Sequence, residues 1–142
     1  MSDPLNLHGT AVSIAGAGIL ITGASGTGKS DLALRLIDRG ALLVSDDRVV
    51  MHQNAVMTAP DALAGKMEIR HIGIMTFPNV SAVLKLIVDL DTEPDRLPLA
   101  PMTRCLSGTQ FPVIALCSGE SSAPIKVELA LASQTGEDAV YA

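Results

Sequence analysis

Apolar residues come in short runs, separated by glycine, proline and charged positions. Leu5, Leu7, Ala11, Val12 and Ile14 mark a first extended segment, and Gly16-Ala17-Gly18 reads as a turn. Ile19-Leu20-Ile21-Thr22 is a continuous apolar run, the pattern of a strand covered on both faces. A glycine-rich stretch follows. Leu32, Ala33, Leu36 and Ile37 then recur at i, i+1, i+4 and i+5, which places them on one face of a helix over residues 29–39. Gly40 stands where a left-handed cap ends a helix. Residues 41–45 form a second apolar strand, which stops at Asp46-Asp47.

Residues 49–53 continue extended, with Asn54 as a turn residue. Residues 60–65 read as a loop or short helix, and 67–69 lead into a turn at Arg70-His71-Ile72-Gly73. Residues 81–90 alternate weakly and are β-branched enough for a strand. Residues 91–101 hold three prolines and many charges, which predicts a surface connection. Residues 112–116 form a short strand, 125–132 fit either a strand or a short helix, and the last ten residues are expected to fray. Strand, loop, helix, strand is the signature of a βαβ unit. The strand-rich remainder makes the whole α/β with a mixed central sheet, in one domain over 1–142.

Composition narrows the function. Hydrophobic residues make up 48% of the 142, and aromatic residues only 2%, with no Trp, so the core is aliphatic. The net charge is −5 and no basic stripe is visible, which argues against nucleic acid as a partner. Scarce aromatics remove base-stacking platforms as well. Cys105 and Cys117 match no zinc spacing and are expected to be reduced thiols in a cytoplasmic protein. The N-terminus lacks the basic start and apolar run of a signal peptide. No apolar stretch approaches the ~20 residues that span a bilayer, so no membrane association is expected.

The glycine-rich stretch Gly23-Ala24-Ser25-Gly26-Thr27-Gly28-Lys29-Ser30 fits the pattern G-x-x-x-x-G-K-S/T. Glycines let the backbone curl so that several N–H groups point at phosphate oxygens, and the helix that begins near Lys29 adds the positive end of its dipole. Lys29 is positioned to reach the β- and γ-phosphates of ATP, and Ser30 to hold Mg²⁺. The bland alternative, a glycine-rich turn with an exposed lysine, does not explain why a buried-type strand precedes the motif and an amphipathic helix follows it.

Asp46 and Asp47 lie at the carboxyl end of the next strand, the edge at which open α/β sheets bind ligands. One carboxylate can hold the metal and the other can act as general base, or both can simply begin a polar turn. His8, Glu68, Arg70, Arg96 and Arg104 are unremarkable singly. In an extended segment Glu68 points opposite to Met67 and Ile69.

Taken together these blocks resemble the catalytic domain of the HPr kinase/phosphorylase family, which phosphorylates a serine on the phosphocarrier protein HPr. The resemblance rests on Leu7-His8-Gly9, on residues 20–30 with the phosphate loop, on Arg39-Gly40 with residues 43–49, and on residues 67–74. It spans about residues 7–76, half the chain. It implies a P-loop kinase domain of the PEP carboxykinase-like type with a mixed central sheet. His8 would contact the transferred phosphate and the catalytic aspartate. Lys29 would hold the β/γ-phosphates. Ser30, Asp47 and Glu68 would serve the metal. Asp46 and Asp47 would divide base and metal roles in an order that adjacent residues do not reveal. Asp95-Arg96-Leu97 is similar to the family's Asp-Arg-x-Gly stretch, which makes Arg96 the arginine that steadies phosphate charge. The implied partner is HPr or an HPr-like phosphocarrier. A homo-oligomer of unspecified size is expected, and the family's N-terminal domain is expected to be absent.

The chain departs from the family at three places. His71 and Pro98 replace glycines. Residues 117–124 have no arginine where the family has a Pro-Gly-Arg-Asn-like loop linked to dephosphorylation. Serine-kinase activity with ATP and Mg²⁺ is the leading expectation, with the reverse reaction open. A nucleotide-binding regulatory module without catalysis and a small-metabolite kinase are the alternatives.

Overall fold

A computed structural model describes residues 3–135. The first extended segment is two strands, β1 (Leu5–His8) and β2 (Thr10–Ile14), broken at Gly9. A Cβ added at Gly9 would lie 2.7 Å from the Ile21 carbonyl oxygen, so only glycine lets the chain bend so close to Ile21. The following turn is centred on Ala15 and Gly16. Ala17 and Gly18, read from sequence as turn, already belong to β3 (Ala17–Thr22).

Helix α1 (Lys29–Asp38) buries Leu32, Ala33 and Leu36, as the spacing predicts. It closes with the Gly40 amide on Ile37 O and the Ala41 amide on Leu36 O, both at 3.0 Å. Replacing fully buried Leu32 with alanine costs about 2–5 kcal/mol at such a site.

Strands β4 (Leu42–Ser45), β5 (Arg48–Met51) and β6 (Val56–Thr58) follow, then a separate hairpin of β7 (Lys66–Ile69) and β8 (Gly73–Thr76). Short 3-10 turns at Gln53–Ala55 and Asp61–Leu63 link them. Strand β9 (Ala82–Asp89) runs parallel to β3. Its other edge is shared: β6 pairs antiparallel with its start, and β11 (Thr109–Ala115) pairs parallel with its end. Strand β10 (Met102–Leu106) pairs antiparallel with β11. The main order is β1-β5-β6-β9-β3-β2-β4, a mixed sheet as expected.

This order explains the site. β1 and β2 are neighbours in the chain but far apart in the sheet, and so are β4 and β5. The sheet curls, and its two chain crossings, at Gly9 and at Asp46-Asp47, meet: the Gly9 amide donates to the Asp47 carbonyl at 3.1 Å. One face of the sheet packs with Ile19, Ile21, Leu86 and Val88 against Leu32 and Leu36 of α1 and Val127 of α2 (Ala123–Thr135). The other encloses Leu20, Val44, Val49, Met57, Leu84 and Ile87. Strands buried on both faces read as continuous apolar runs.

The sequence left some later elements open or unread. Residues 125–132 lie in helix α2, because Ala123, Val127 and Leu131, four apart, share a buried face. Strand β10 was not read, because Met102-Thr103-Arg104-Cys105-Leu106 is an edge strand without a buried alternation. Residues 133–135 continue α2, and the rest of the expected frayed tail lies outside the described residues. Among the described residues no helix is long and apolar enough to cross a membrane.

Candidate active site

The phosphate loop joins the end of β3 to the start of α1, both fixed by the apolar core beneath. Gly28 holds the helix cap at φ +94° without a capping side chain, which leaves the first-turn amides open to a ligand anion. A Cβ at Gly28 would meet Ser118 Oγ at 2.6 Å, and Ser118 Oγ donates to Thr27 O at 2.5 Å. The segment after β11 therefore packs on the back of the loop. Arg35 also donates to the carbonyls of Ser118 and Glu120. Lys29 is buried, with Nζ donating to Gly23 O at 2.9 Å and Ala24 O at 3.1 Å.

The two aspartates separate. Asp46 is 8% exposed, and its Oδ1 accepts from Ser30 Oγ at 2.7 Å and Thr10 Oγ1 at 2.9 Å. Asp47 turns the other way at φ +68°, a left-handed conformation that aspartate tolerates better than most residues, and is exposed. His8 Nε2 lies 3.4 Å from Asp47 Oδ1. Register produces this contact, because β1 pairs with β5 to set His8 opposite Arg48, one residue beyond Asp47.

A cleft of about 810 Å³ runs between the loop and the β7–β8 hairpin. Ser25, Gly26, Gly28, Lys29, Ser30, Asp47, Glu68, Arg70 and His71 line it. The sequence set Ser30, Asp47 and Glu68 as metal residues. All three face this cleft, but the carboxylate that touches Ser30 is Asp46. His71 sits at φ +75°, the backbone region that favours glycine, so the residue replacing the family's glycine keeps the turn. Arg96 lies on the exposed connection between β9 and β10 and does not line the cleft. Among the described residues no three His, Cys, Asp or Glu side chains converge as a metal cage. Magnesium is instead held through one or two carboxylates together with phosphates and waters. Ser30 and Asp46 offer two adjoining hard oxygens at the loop, which fits that ion. A second cavity, of about 560 Å³ around His52 and Lys85, contains none of the sequence-predicted site residues.

Sequence reasoning missed Thr10 and the buried Asp89. Asp89 terminates an apolar run at a strand end much as Asp46 does, and that signal was available. Burial raises its carboxyl pKa, but hydrogen bonds from the Thr92 hydroxyl and from the Asp91 and Thr92 amides, with the Arg104 charge, outweigh burial and hold it below the usual value.

A strand, loop and helix of this kind define a P-loop domain. Comparison with known proteins narrows the class. Residues 1–116 match the HPr Serine kinase C-terminal domain, and the chain belongs to that family. The HPr kinase/phosphorylase of Limosilactobacillus reuteri (strain DSM 20016) is 41% identical over 128 residues, 78% of this chain and 40% of the relative. That of Variovorax paradoxus (strain S110) is 38% identical over 125 residues, 75% of this chain and 39% of the relative. The chain thus spans about 40% of the length of these curated relatives. The solved HPr(Ser) kinase/phosphatase from Coxiella burnetii matches with a TM-score of 0.77 and 26% identity, over 96% of this chain and 94% of that one.

Proposed function

We propose that this chain is an ATP- and Mg²⁺-dependent serine kinase domain acting on HPr or an HPr-like phosphocarrier. The observation that carries the reading is the division of the acid pair: Asp46 against Ser30 beside the phosphate loop, and Asp47 against His8 facing the cleft. The names of the similar proteins supply the substrate class.

In this reading Lys29 leaves the Gly23 and Ala24 carbonyls for the β/γ-phosphates, and the first-turn amides of α1 take the remaining charge. Ser30 and Asp46, with Glu68 across the cleft, hold Mg²⁺, which neutralises phosphate charge when bound. Asp47 accepts the proton of the substrate serine, and His8 orients that carboxylate. The serine oxygen forms a bond to the γ-phosphorus while the bond from that phosphorus to the β–γ bridging oxygen breaks, and ADP leaves. Arg96, on the exposed connection between β9 and β10, is the arginine that the family resemblance assigns to steady phosphate charge. The reverse reaction is a separate arm, because residues 117–124 carry no arginine.

We further infer one domain over 1–142, a cytoplasmic setting and a homo-oligomer. Exposed Ile72, Ile74, Leu97 and Leu99 supply apolar surface for contacts with other chains. The test is to incubate the chain with MgATP and purified HPr-type carrier and look for phosphoserine. ATP binding without transfer supports the regulatory-module alternative. Transfer confined to a small metabolite would sink the proposal.

A further inference from the structure

The phosphate loop is usually understood from its own glycines and the helix behind it. Here its leading edge is also tied to the end of β9. The Ala24 amide donates to Asp91 Oδ1 at 2.9 Å. Asp91 is placed by Asp89, whose Oδ1 accepts the Asp91 amide at 2.8 Å and the Thr92 amide at 3.2 Å. Asp89 Oδ2 accepts from Thr92 Oγ1 at 2.7 Å and from Arg104 Nη2 at 3.3 Å. Arg104 reaches back from β10, and its Nη1 donates to Thr22 Oγ1 at 3.2 Å, on the residue that enters the loop. The Leu90 amide closes the same junction on Thr22 O at 2.9 Å.

We propose that Asp89, Arg104 and Asp91 form a positioning relay that sets the geometry of the phosphate loop and hence its affinity for nucleotide. The proposal rests on the phosphate-binding reading above. Asp89 is a buried carboxylate satisfied by four donors, so it is a fixed point rather than a solvated surface acid. From that point the Asp91 and Thr92 amides and the Thr92 hydroxyl hold the 90–92 turn, and the Asp91 carboxylate reaches the Ala24 amide. Gly23 and Ala24 matter because their carbonyls seat Lys29 Nζ. A loop edge that drifts carries with it the starting position of the lysine that must meet the phosphates.

The relay has a second arm. The connection that carries Arg96 leaves the sheet at Asp91 and Thr92 and returns into β10, where Arg104 sits. Both ends are therefore bound to the same carboxylate. Asp89 fixes the two ends of a segment whose middle is exposed, which restricts where Arg96 can travel. None of the three relay residues lines the cleft, so they act through the loop and not on substrate.

Asp91 gives the sharpest test, because it is exposed and its replacement leaves the core intact. Asp91→Ala removes both charge and acceptor. Asp91→Asn removes the charge and keeps an oxygen for the Ala24 amide. Affinity for N-methylanthraniloyl-ATP with Mg²⁺ is measured by fluorescence on the full chain, with a melting curve for each variant. The relay predicts about tenfold weaker binding for Asp91→Ala, the scale of one lost charge-assisted hydrogen bond, at an unchanged melting temperature. It predicts that Asp91→Asn restores most of that affinity. Arg104→Ala is expected to weaken binding, with Arg104→Lys between it and wild type. If Asp91→Ala binds like wild type, or if both Asp91 variants weaken equally, the relay is overturned while the loop assignment stands. If wild-type protein does not bind the nucleotide, the phosphate-loop reading fails and the relay fails with it.

Discussion

Ser30 Oγ donates to Asp46 Oδ1 at 2.7 Å, which joins the last residue of the phosphate loop to the end of β4. Asp47, one residue on, faces the opposite way toward His8. Two adjacent carboxylates thus have two environments, the arrangement that lets one site hold both a metal ligand and a base.

Exchanging each aspartate for asparagine separates the roles. Asp46→Asn is expected to raise the Mg²⁺ concentration needed for half-maximal transfer by about tenfold or more, since the carboxylate proposed to hold the metal is lost. Asp47→Asn is expected to lower kcat by about 10²–10⁴-fold, the usual worth of general-base catalysis, with nucleotide affinity little changed. Titrations of Mg²⁺ and of ATP on both variants check this. The opposite pattern would reverse the assignments.

Lys29→Ala tests the loop itself. Loss of the charge proposed to meet the β/γ-phosphates is expected to reduce transfer by at least about 10²-fold. Retained activity would place phosphate binding elsewhere.

These residues differ in how legible they were. Lys29 and Ser30 were readable because a local motif forms their site: eight consecutive residues, a strand before and a helix after. The βαβ start was readable because burial on both faces leaves continuous apolar runs, and the strand at β9 because residues 81–90 alternate weakly and are β-branched. The split of Asp46 from Asp47 was not, because it depends on the left-handed backbone at Asp47 and on a sheet that curls until Gly9 meets the Asp47 carbonyl. Arg104 was equally hidden, since its partners Thr22 and Asp89 are distant in sequence and its strand lacks a buried face. A bulge hid the facing of β9. Gly18 pairs with Leu84 but Ile19 with Leu86, so Lys85 is the extra residue and reverses the inside-outside alternation.

His71 yields a stability prediction. Its φ of +75° is tolerated by glycine and strained for β-branched residues. His71→Gly is expected to stay within about 1 kcal/mol of wild type, the opposing effects being relief of strain and greater freedom of the unfolded chain. His71→Val is expected to lose about 1–2 kcal/mol or more. Urea midpoints measure both, and a valine variant as stable as wild type would contradict the turn geometry.

Asp89 yields a pH prediction. Burial acts upward on its carboxyl, but its hydrogen bonds and Arg104 bring the folded pKa below the ordinary value. A carboxylate depressed in this way contributes stability that is present above the unfolded pKa and lost as pH falls through the folded one. The contribution of Asp89 to wild-type stability is therefore expected to fall as the pH drops below about 4. Asp89→Asn is expected to be less stable at neutral pH and flatter across that acid window. Parallel slopes would show that Asp89 is not a source of the acid sensitivity.

Transfer of label from γ-labelled ATP to a purified HPr-type carrier, followed in wild type and Asp47→Asn side by side, tests the central claim most directly. The proposed function predicts label on a carrier serine with wild type and its near-complete loss with Asp47→Asn at undiminished ATP binding. Label that never reaches the carrier, or that reaches it equally well with Asp47→Asn, would contradict the account.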